Sequence, residues 1–235
     1  SIGSNLKSFH DMNTLPSELL FTRATFVNNT TSFVTWKFGD ENARILYQFV
    51  DSNGLVFSEA KAISNFDAIQ TGPRVKRSSV GDIFVNWKDL RDDPIDGDQY
   101  FQKVDASGDI LWGDGVRVDP IDDVDFSARF VAGNNGDLNV IWERGTFPEV
   151  DIFYMNIDSE GNLSQAQPLA ISETDGYQFA PILLGTTTNE IFAIYGDKGS
   201  GSIDLKVQKI NSSTFLTEWD NNGLAAMTGL DGDIN

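Results

Sequence analysis

One pattern recurs four times along the chain with a period of about 53 residues, and this period limits the folds open to it. Each copy has an acid or amide just before a turn, with alternating apolar residues upstream. These anchor residues are Asp51, Asp105, Asp158 and Asn211, separated by 54, 53 and 53 residues. Alternation with a period of two predicts a strand that is buried on one face. Asp or Asn followed by small polar residues, and in three copies by Gly, is typical of a hairpin turn.

A column of aromatic residues lies upstream of the turns. Its members are Trp36, Trp87, Trp142 and Tyr195. In every copy Val or Ala stands two residues earlier, which places it on the same face of a strand as the aromatic residue. We therefore expect the aromatic column to be buried between neighbouring sheets rather than to form a platform for sugars.

Two further strands complete each copy, one before the aromatic strand and one after the turn. Four strands per repeat predict an all-β fold, a β-propeller-like array of four-stranded antiparallel blades with no long helix. The expected complete blades are residues 16–68, 69–121, 122–176 and 177–229. Residues 1–15 match the last strand of an upstream repeat, and residues 230–235 match the start of a further repeat.

The charge and the rare residue types exclude several functions. Seventeen Lys and Arg against 35 Asp and Glu give a net charge of −18. Such a surface repels nucleic acid and anionic lipid, so we expect neither as a partner, and no run is apolar enough for membrane insertion. The chain has no Cys, and His10 is its one histidine. A disulfide framework is therefore excluded, and a Ser-His-Asp triad is disfavoured.

The second copy carries a longer motif, W-x-D-x-R followed by D-I-Y-x-Q-x-x-D-x-x-G-x-x-x-W-G-x-x-G-V-x-V. Its positions are occupied by Trp87, Asp89, Arg91, Asp98, Tyr100, Gln102, Asp105, Gly108, Trp112, Gly113, Gly115 and Val116. The motif resembles a repeat common in large secreted bacterial proteins, many from Bacteroidetes. The resemblance implies a β-propeller in a secreted or cell-surface protein, with other repeats or domains of the same parent protein as partners. It carries over no catalytic residue.

Two sets of equally spaced charged residues are expected near the central channel, because the first strand of each propeller blade lines it. Thirteen residues before the aromatic column stand Arg23, Arg74 and Arg129, with Ile182 in the fourth copy. Twenty residues before it, three copies have Asp67, Asp122 and Asp175. One interpretation is a polar funnel in which Arg binds an anionic group and Asp binds cations or sugar hydroxyls. The alternative is an Arg–Asp network whose members satisfy one another.

An acidic loop between the second and third strands of the second copy is a candidate cation site. Its carboxylates are Asp92, Asp93, Asp96 and Asp98. Several oxygen ligands suit calcium, but the loop lacks the usual calcium-loop spacing, and the alternative is a solvated hairpin tip. Apart from calcium, we expect no cofactor.

The loops between the second and third strands vary most, and read GDENA, KDLRDDPIDG, ERGTFPEV and GDKGSGS. Loops that vary while strands repeat are where function is usually placed. Equally spaced acids fit repeat architecture better than a catalytic pair, whose two members need different pKa values. We therefore favour a non-catalytic extracellular or cell-surface binding or scaffold module that presents loops to a glycan or protein. The alternative is a glycoside-hydrolase-like propeller enzyme that uses the channel carboxylates.

Overall fold

A computed structural model describes residues 19–56, 59–121, 125, 128–186, 188, 190–199, 202–219 and 222–230. Within these residues every regular element is a β-strand, as the sequence predicts. The seventeen strands form four consecutive sets, and in each set the chain runs up and down through neighbouring antiparallel strands. No helix in the described part of the chain could cross a membrane.

Each set has four strand positions. The first strands are β1 (Leu19–Phe26), β6 (Gln70–Arg77), β10 (Arg129–Ala132) and β14 (Tyr177–Gly185). The second strands are β2 (Ser32–Phe38), β7 (Ile83–Asp89), β11 (Leu138–Thr146) and β15 (Ile191–Lys198). The third strands are β3 (Arg44–Asp51), β8 (Asp98–Val104), β12 (Glu149–Ile157) and β16 (Ile203–Ile210). The fourth positions are held by β4 (Gly54–Leu55) with β5 (Lys61–Ala62), β9 (Val116–Arg117), β13 (Leu169–Ser172) and β17 (Leu224–Leu230).

The described residues fall into two compact units of two sets each. In the first unit, formed from residues 19–77 and 81–116, the first and second sets share one hydrophobic core. Phe33 and Tyr47 of the first set lie in this core with Val85 and Trp87 of the second set. Alternation along each strand turns one face of the sheet toward this core, so its apolar surface is removed from water.

The second unit comprises residues 78–80 and the described residues from 117 onward. Its core contains Ile141 and Tyr154 of the third set together with Ala193 and Tyr195 of the fourth. A single parallel bridge between β12 and β14 joins the two sets into one eight-stranded sheet. Each unit is therefore built from two four-strand meanders with a shared core, which is a β-propeller-like all-β arrangement.

The aromatic column is buried in three of the four sets. Trp87, Trp142 and Tyr195 are at most 1% exposed. Trp36 is only half-buried, because it lies on the face of β2 opposite to Phe33, whose face packs on the second set. The expectation of burial is confirmed for three members of the column and is wrong for Trp36.

The anchor residues of the repeat close the hairpin turns with their side chains. Asp105 Oδ1 accepts hydrogen bonds from the backbone N–H groups of Ser107 and Asp109, at 2.8 and 2.9 Å. Asp158 and Asn211 bind the backbone of their own turns in the same way. A short side chain that accepts from the backbone two residues ahead favours a turn over a continuing strand.

Candidate active site

The predicted channel arginines occupy one equivalent position in their sheets. The cross-strand pairs are Arg23 with Thr35, Arg74 with Asn86, Arg129 with Ile141, and Ile182 with Ile194. Each partner directly precedes a member of the aromatic column. Residues that are equally spaced in the sequence therefore occupy equivalent register positions in the four sets. Arg23 and Arg129 are exposed, and Arg74 is half-buried.

A β-bulge precedes this position in three of the four first strands. The register shifts immediately before Arg23, Arg74 and Ile182. Within each bulge one residue has a positive φ, namely Phe21 at 57°, Gly72 at 62° and Ala180 at 50°. The equivalent residue of the third set, residue 127, lies outside the described part of the chain. Side chains other than Gly rarely adopt this conformation, and such bulges recur next to active sites.

The predicted channel aspartates that the structure describes are exposed or lie at the surface. The Asp67 side chain is 96% exposed, and its Oδ1 lies 3.6 Å from Nη1 of Arg44 on β3. Asp175 is exposed in the segment before β14. Asp122 lies outside the described residues. The functional role of the three aspartates stays a prediction.

The carboxylates of the acidic loop are largely engaged within the loop. Asp93 Oδ1 accepts backbone hydrogen bonds from Ile95 and Asp96, at 2.9 and 3.2 Å. These hydrogen bonds hold the pKa of Asp93 below its usual value, and the bond from Ile95 has the larger effect. The geometry is that of an Asx turn.

Of the other three acids of the loop, Asp96 is exposed, whereas Asp92 is hydrogen-bonded and Asp98 is buried. Asp92 accepts a hydrogen bond from the Tyr100 hydroxyl, and Asp98 is buried at the start of β8. Among the residues that the structure describes, no group of three or more acidic or histidine side chains could hold a metal ion. The calcium site stays a prediction from the sequence.

The W-x-D-x-R motif forms a buried structural network. Asp89 is fully buried, and its Oδ2 accepts hydrogen bonds from Arg91 at 2.6 Å, Trp87 at 2.8 Å and Gln70 at 3.0 Å. Burial alone would raise the pKa of Asp89, but the bonds from Arg91 and Trp87 lower it below its usual value. The Arg91 guanidinium also stacks on the Tyr100 ring, 4.1 Å from its centroid. The motif therefore stabilises the sheet.

The third set builds the same network with an aspartate from a different place in the chain. Asp119 Oδ2 accepts from Trp142 Nε1 at 3.2 Å and from Arg144 Nη1 at 3.0 Å. A buried carboxylate thus satisfies the indole N–H in both sets, although the third copy lacks an aspartate two residues after its Trp. A buried indole N–H without a hydrogen-bond acceptor would destabilise the folded state, which explains why both sets supply an acceptor.

A chemically different carboxyl group lies at the other face of β11. Glu143 is half-buried, and its Oε1 accepts a hydrogen bond of 2.7 Å from the N–H of Ala180, the residue with positive φ in the β14 bulge. Arg129 is on the same face, because it pairs with Ile141, two residues before Glu143. Burial raises the pKa of Glu143, while the Ala180 N–H and the charge of Arg129 oppose this rise. A half-buried carboxyl with a raised pKa beside a cation is suited to proton transfer.

Tyr177 is the next group in this site. It starts β14, is half-buried, and has a raised pKa caused first by burial and then by the negative charge of Glu143. The rings of Phe147 and Phe179 contact Tyr177 on either side. The candidate site therefore consists of Glu143, Arg129, Tyr177 and the neighbouring aromatic rings.

Asp151 carries the other raised carboxyl pKa in this unit, but it faces away from the site. It pairs with Arg144 across β11 and β12, one position from Glu143, so its side chain lies on the opposite face of the sheet. Burial is the largest cause that raises the pKa of Asp151, and the negative charges of Glu173 and Glu149 raise it further. The positive charge of Arg144 opposes this rise, and the resulting pKa is about 6. Asp151 therefore lies outside the candidate site.

Sequence reasoning singled out Arg129 and missed Glu143, Tyr177, Phe147 and Phe179. The available signal was the variable segment ERGTFPEV, which begins at Glu143 and contains Phe147. It forms the tip of the β11–β12 hairpin, where both strands extend to nine residues. Neither the raised pKa nor the contact with β14 has a signature in the sequence.

Comparison with known proteins identifies the fold. The chain matches no protein-family model and no curated protein. It is similar to a solved protein of unknown function from Dyadobacter fermentans, with 13% identity, a TM-score of 0.52, and coverage of 88% of this chain and 70% of that one. It is similar to a polysaccharide lyase, an ulvan lyase, with 11% identity, a TM-score of 0.52, and coverage of 86% and 58%. It is also similar to a Hadza microbial sialidase, with 9% identity, a TM-score of 0.52, and coverage of 84% and 45%.

These likenesses contradict the function that the sequence favours. Two of the three similar structures are carbohydrate-cleaving enzymes, and the chain spans 58% and 45% of their lengths. The expectation of a non-catalytic binding or scaffold module is therefore wrong, and the enzyme alternative fits the findings better. At these identities the likeness establishes the all-β fold, and the chemistry has to be argued from the site.

Proposed function

We propose that the chain belongs to a carbohydrate-active enzyme that cleaves glycosidic bonds, with Glu143 as the group that transfers a proton. The observation that carries this proposal is the environment of Glu143: a half-buried carboxyl, hydrogen-bonded to the strained bulge at Ala180, with its pKa raised by burial. The similar structures are consistent with this class of reaction.

The chemistry follows from the cleavage of a sugar–oxygen bond, in which the leaving oxygen needs a proton. A carboxyl group with a raised pKa keeps its proton closer to neutral pH and can donate it to that oxygen. Arg129 lies on the same face of the sheet and can bind an anionic group of the substrate, such as a uronate carboxylate. In hydrolysis, a water molecule supplies the oxygen that replaces the leaving group at the anomeric carbon. The Ala180 N–H accommodates the carboxylate that remains after proton transfer.

Glu143 suits this role better than the equally spaced aspartates of the sequence hypothesis. The side chain of Asp67 is almost fully solvated and Asp175 is exposed. Neither residue therefore has the buried surroundings that shift the pKa of a catalytic acid. A site that occurs once, between the third and fourth sets of strands, also provides the asymmetry that catalysis requires, which a repeated residue does not.

We also propose the wider setting of this site. The four sets would be four consecutive blades of about 53 residues, with boundaries at 16–68, 69–121, 122–176 and 177–229, in a secreted or cell-surface protein whose ligand is a glycan. The shared cores within each unit and the resemblance of the second copy to secreted bacterial repeats support this setting.

The test is a screen of the protein on neutral and uronate-containing polysaccharides, followed by the variant Glu143→Gln. New reducing ends measure bond cleavage, and ultraviolet absorbance of an unsaturated product separates elimination from hydrolysis. We expect Glu143→Gln to lower kcat by about 100- to 10,000-fold, the usual contribution of a general acid.

A matched control uses a glutamate of the same set of strands that lies outside the candidate site. Glu160 is exposed in the turn that follows β12, so Glu160→Gln makes the same chemical change away from the site and should retain wild-type turnover. Absence of cleavage on every polysaccharide, or full activity of Glu143→Gln, would refute the proposal.

A further inference from the structure

We propose that Phe147, Tyr177 and Phe179 form an aromatic platform that binds one pyranose ring of a polysaccharide next to Glu143. The inference deepens the proposed function, because it names the ligand and its subsite, and it takes the identity of the ligand as a glycan from that proposal. It concerns binding, so it can be tested separately from bond cleavage.

The three rings are in direct contact. Tyr177 and Phe179 are stacked, with centroids 5.2 Å apart and planes inclined by 14°. Phe147 meets Tyr177 edge to face, with centroids 5.8 Å apart and an interplanar angle of 71°. Such pairs stabilise one another beyond the area that they bury, so the three rings form one contiguous cluster centred on Tyr177.

The platform is accessible. Phe147 is 73% exposed, and Tyr177 and Phe179 are half-buried. Single exposed apolar side chains are common on protein surfaces, whereas an exposed ring that continues into partly exposed neighbouring rings forms an apolar patch of the kind that marks a binding site. Three of the four members of the aromatic column are buried and offer no ring face to a sugar, whereas Phe147 is exposed.

The surrounding backbone holds the platform in place. A Cβ atom at Gly196 would lie 2.5 Å from Cζ of Phe179, so only glycine at this position of β15 lets the ring rest on the strand. Glu149 Oε2 accepts a hydrogen bond of 2.9 Å from the Gly176 N–H, and this bond fixes the β11–β12 hairpin against the start of β14. Rigid aromatic anchors lose little entropy on binding.

The chemistry of the neighbours points to a sugar rather than to an apolar ligand. A pyranose has one face of C–H groups, which packs on the electron-rich face of an aromatic ring, and a rim of hydroxyls. Glu143, whose Oε1 accepts a hydrogen bond from the N–H of Ala180 next to Phe179, supplies an acceptor for that rim. Arg129, on the same face of the sheet as Glu143, supplies charged donors. An apolar surface with a few convergent polar groups is the usual form of a small-molecule site.

Retention in native gels that contain a neutral β-glucan or a pectin rich in uronate measures this binding. The experiment uses the full chain carrying Glu143→Gln, which prevents turnover during the run. We expect Phe147→Ala to weaken binding of at least one of the two polysaccharides by about 3- to 10-fold, the fold-change that corresponds to one lost aromatic contact. Gly196→Ala should weaken it similarly, because the added methyl group displaces Phe179.

Leu216→Ala is the control within the same unit. Leu216 is 55% exposed in the turn after β16, at the opposite end of that strand from the part that pairs near Tyr177. The variant Leu216→Ala removes exposed apolar surface without changing the platform. Its retention in the polysaccharide gels should therefore equal that of the parent protein. Circular dichroism melting establishes that each variant is folded before retention is compared.

Several outcomes would overturn the platform. It is refuted if neither polysaccharide retards the parent protein, or if Phe147→Ala and Gly196→Ala, both folded, are retained like the parent. Loss of concentration-dependent self-association in Phe147→Ala, with glycan retention unchanged, would assign the rings to a contact between copies of the chain. If Glu143→Gln instead still cleaves substrate while Phe147→Ala weakens retention, the catalytic assignment fails and the platform stands.

Discussion

Two kinds of carboxyl group in this chain show how a few neighbours decide what a residue does. Asp89 is fully buried, yet three donors including Arg91 keep it charged, and it acts as structural support for Trp87. Glu143 is less buried but has fewer compensating partners, so its pKa is raised. Desolvation destabilises both carboxylates, and the number and charge of the hydrogen-bond donors determines the result.

The burial of the aromatic column allows a comparison of two tryptophans. Trp87 is fully buried and donates to Asp89, so Trp87→Ala should lower the free energy of unfolding by about 3–5 kcal/mol. Trp36 is half-buried, and Trp36→Ala should cost roughly half of that or less. Urea titration of both variants measures the difference. Equal losses would show that Trp36 is as well packed as Trp87.

Asp151 makes stability depend on pH in a defined direction. Its pKa is raised to about 6 in the folded protein, so the folded state binds this proton more tightly than the unfolded chain does. This tighter proton binding stabilises the folded state fully below about pH 4, which is the pKa of an aspartate in the unfolded chain. The stabilisation is lost as the pH rises through about 6, the pKa of Asp151 in the folded protein. Asp151→Asn should therefore be more stable than wild type at pH 7, by roughly 1 kcal/mol after solvent screening is allowed for.

Melting curves at pH 4 and pH 7 measure this effect. The difference between Asp151→Asn and wild type should grow with pH, because the folded wild-type protein carries a neutral carboxyl group at pH 4 and a desolvated charge at pH 7. A difference that is constant over this range would mean that the carboxyl of Asp151 is not desolvated.

At the scale of elements, a glutamine of the repeat holds the segment that follows the hairpin turn. Gln102 Oε1 accepts from the Trp112 N–H at 2.8 Å, and its amide donates to the Gly113 carbonyl at 2.9 Å. Gln208 binds the backbone of Trp219 in the same way. In the second and fourth sets, the glutamine three residues before the anchor therefore ties the segment after the turn to the third strand, where the regular ladder is interrupted.

Two glycines of the same segment differ in what surrounds them. Gly115 has a φ of +99°, and a Cβ there would lie 2.5 Å from Cη2 of Trp87. Gly113 has a φ of +57° with open space around it. Gly115→Ala should cost clearly more stability than Gly113→Ala, because both variants strain the backbone but only the first displaces a buried ring. Thermal unfolding tests this order, and a larger loss for Gly113→Ala would contradict it.

At the scale of the whole molecule, the four sets of strands divide into two units, each with its own hydrophobic core. The repeat places the same strand order in every set, while differences between copies create one site that the others lack. The extended β11–β12 hairpin places Phe147 beside Tyr177, and the β14 bulge directs the Ala180 N–H at Glu143. A repeated framework with one modified loop is a usual way for such folds to acquire function.

The sequence by itself determined the strands, the turns and most of the buried aromatic column, because these depend on local alternation and on the anchor residues of the repeat. It also aligned Arg23, Arg74 and Arg129 at one register position. Only the tertiary structure decided which carboxyl group becomes a candidate acid. The pKa of Glu143 depends on burial against β14 and on an N–H 37 positions away in the chain, and no local pattern encodes either.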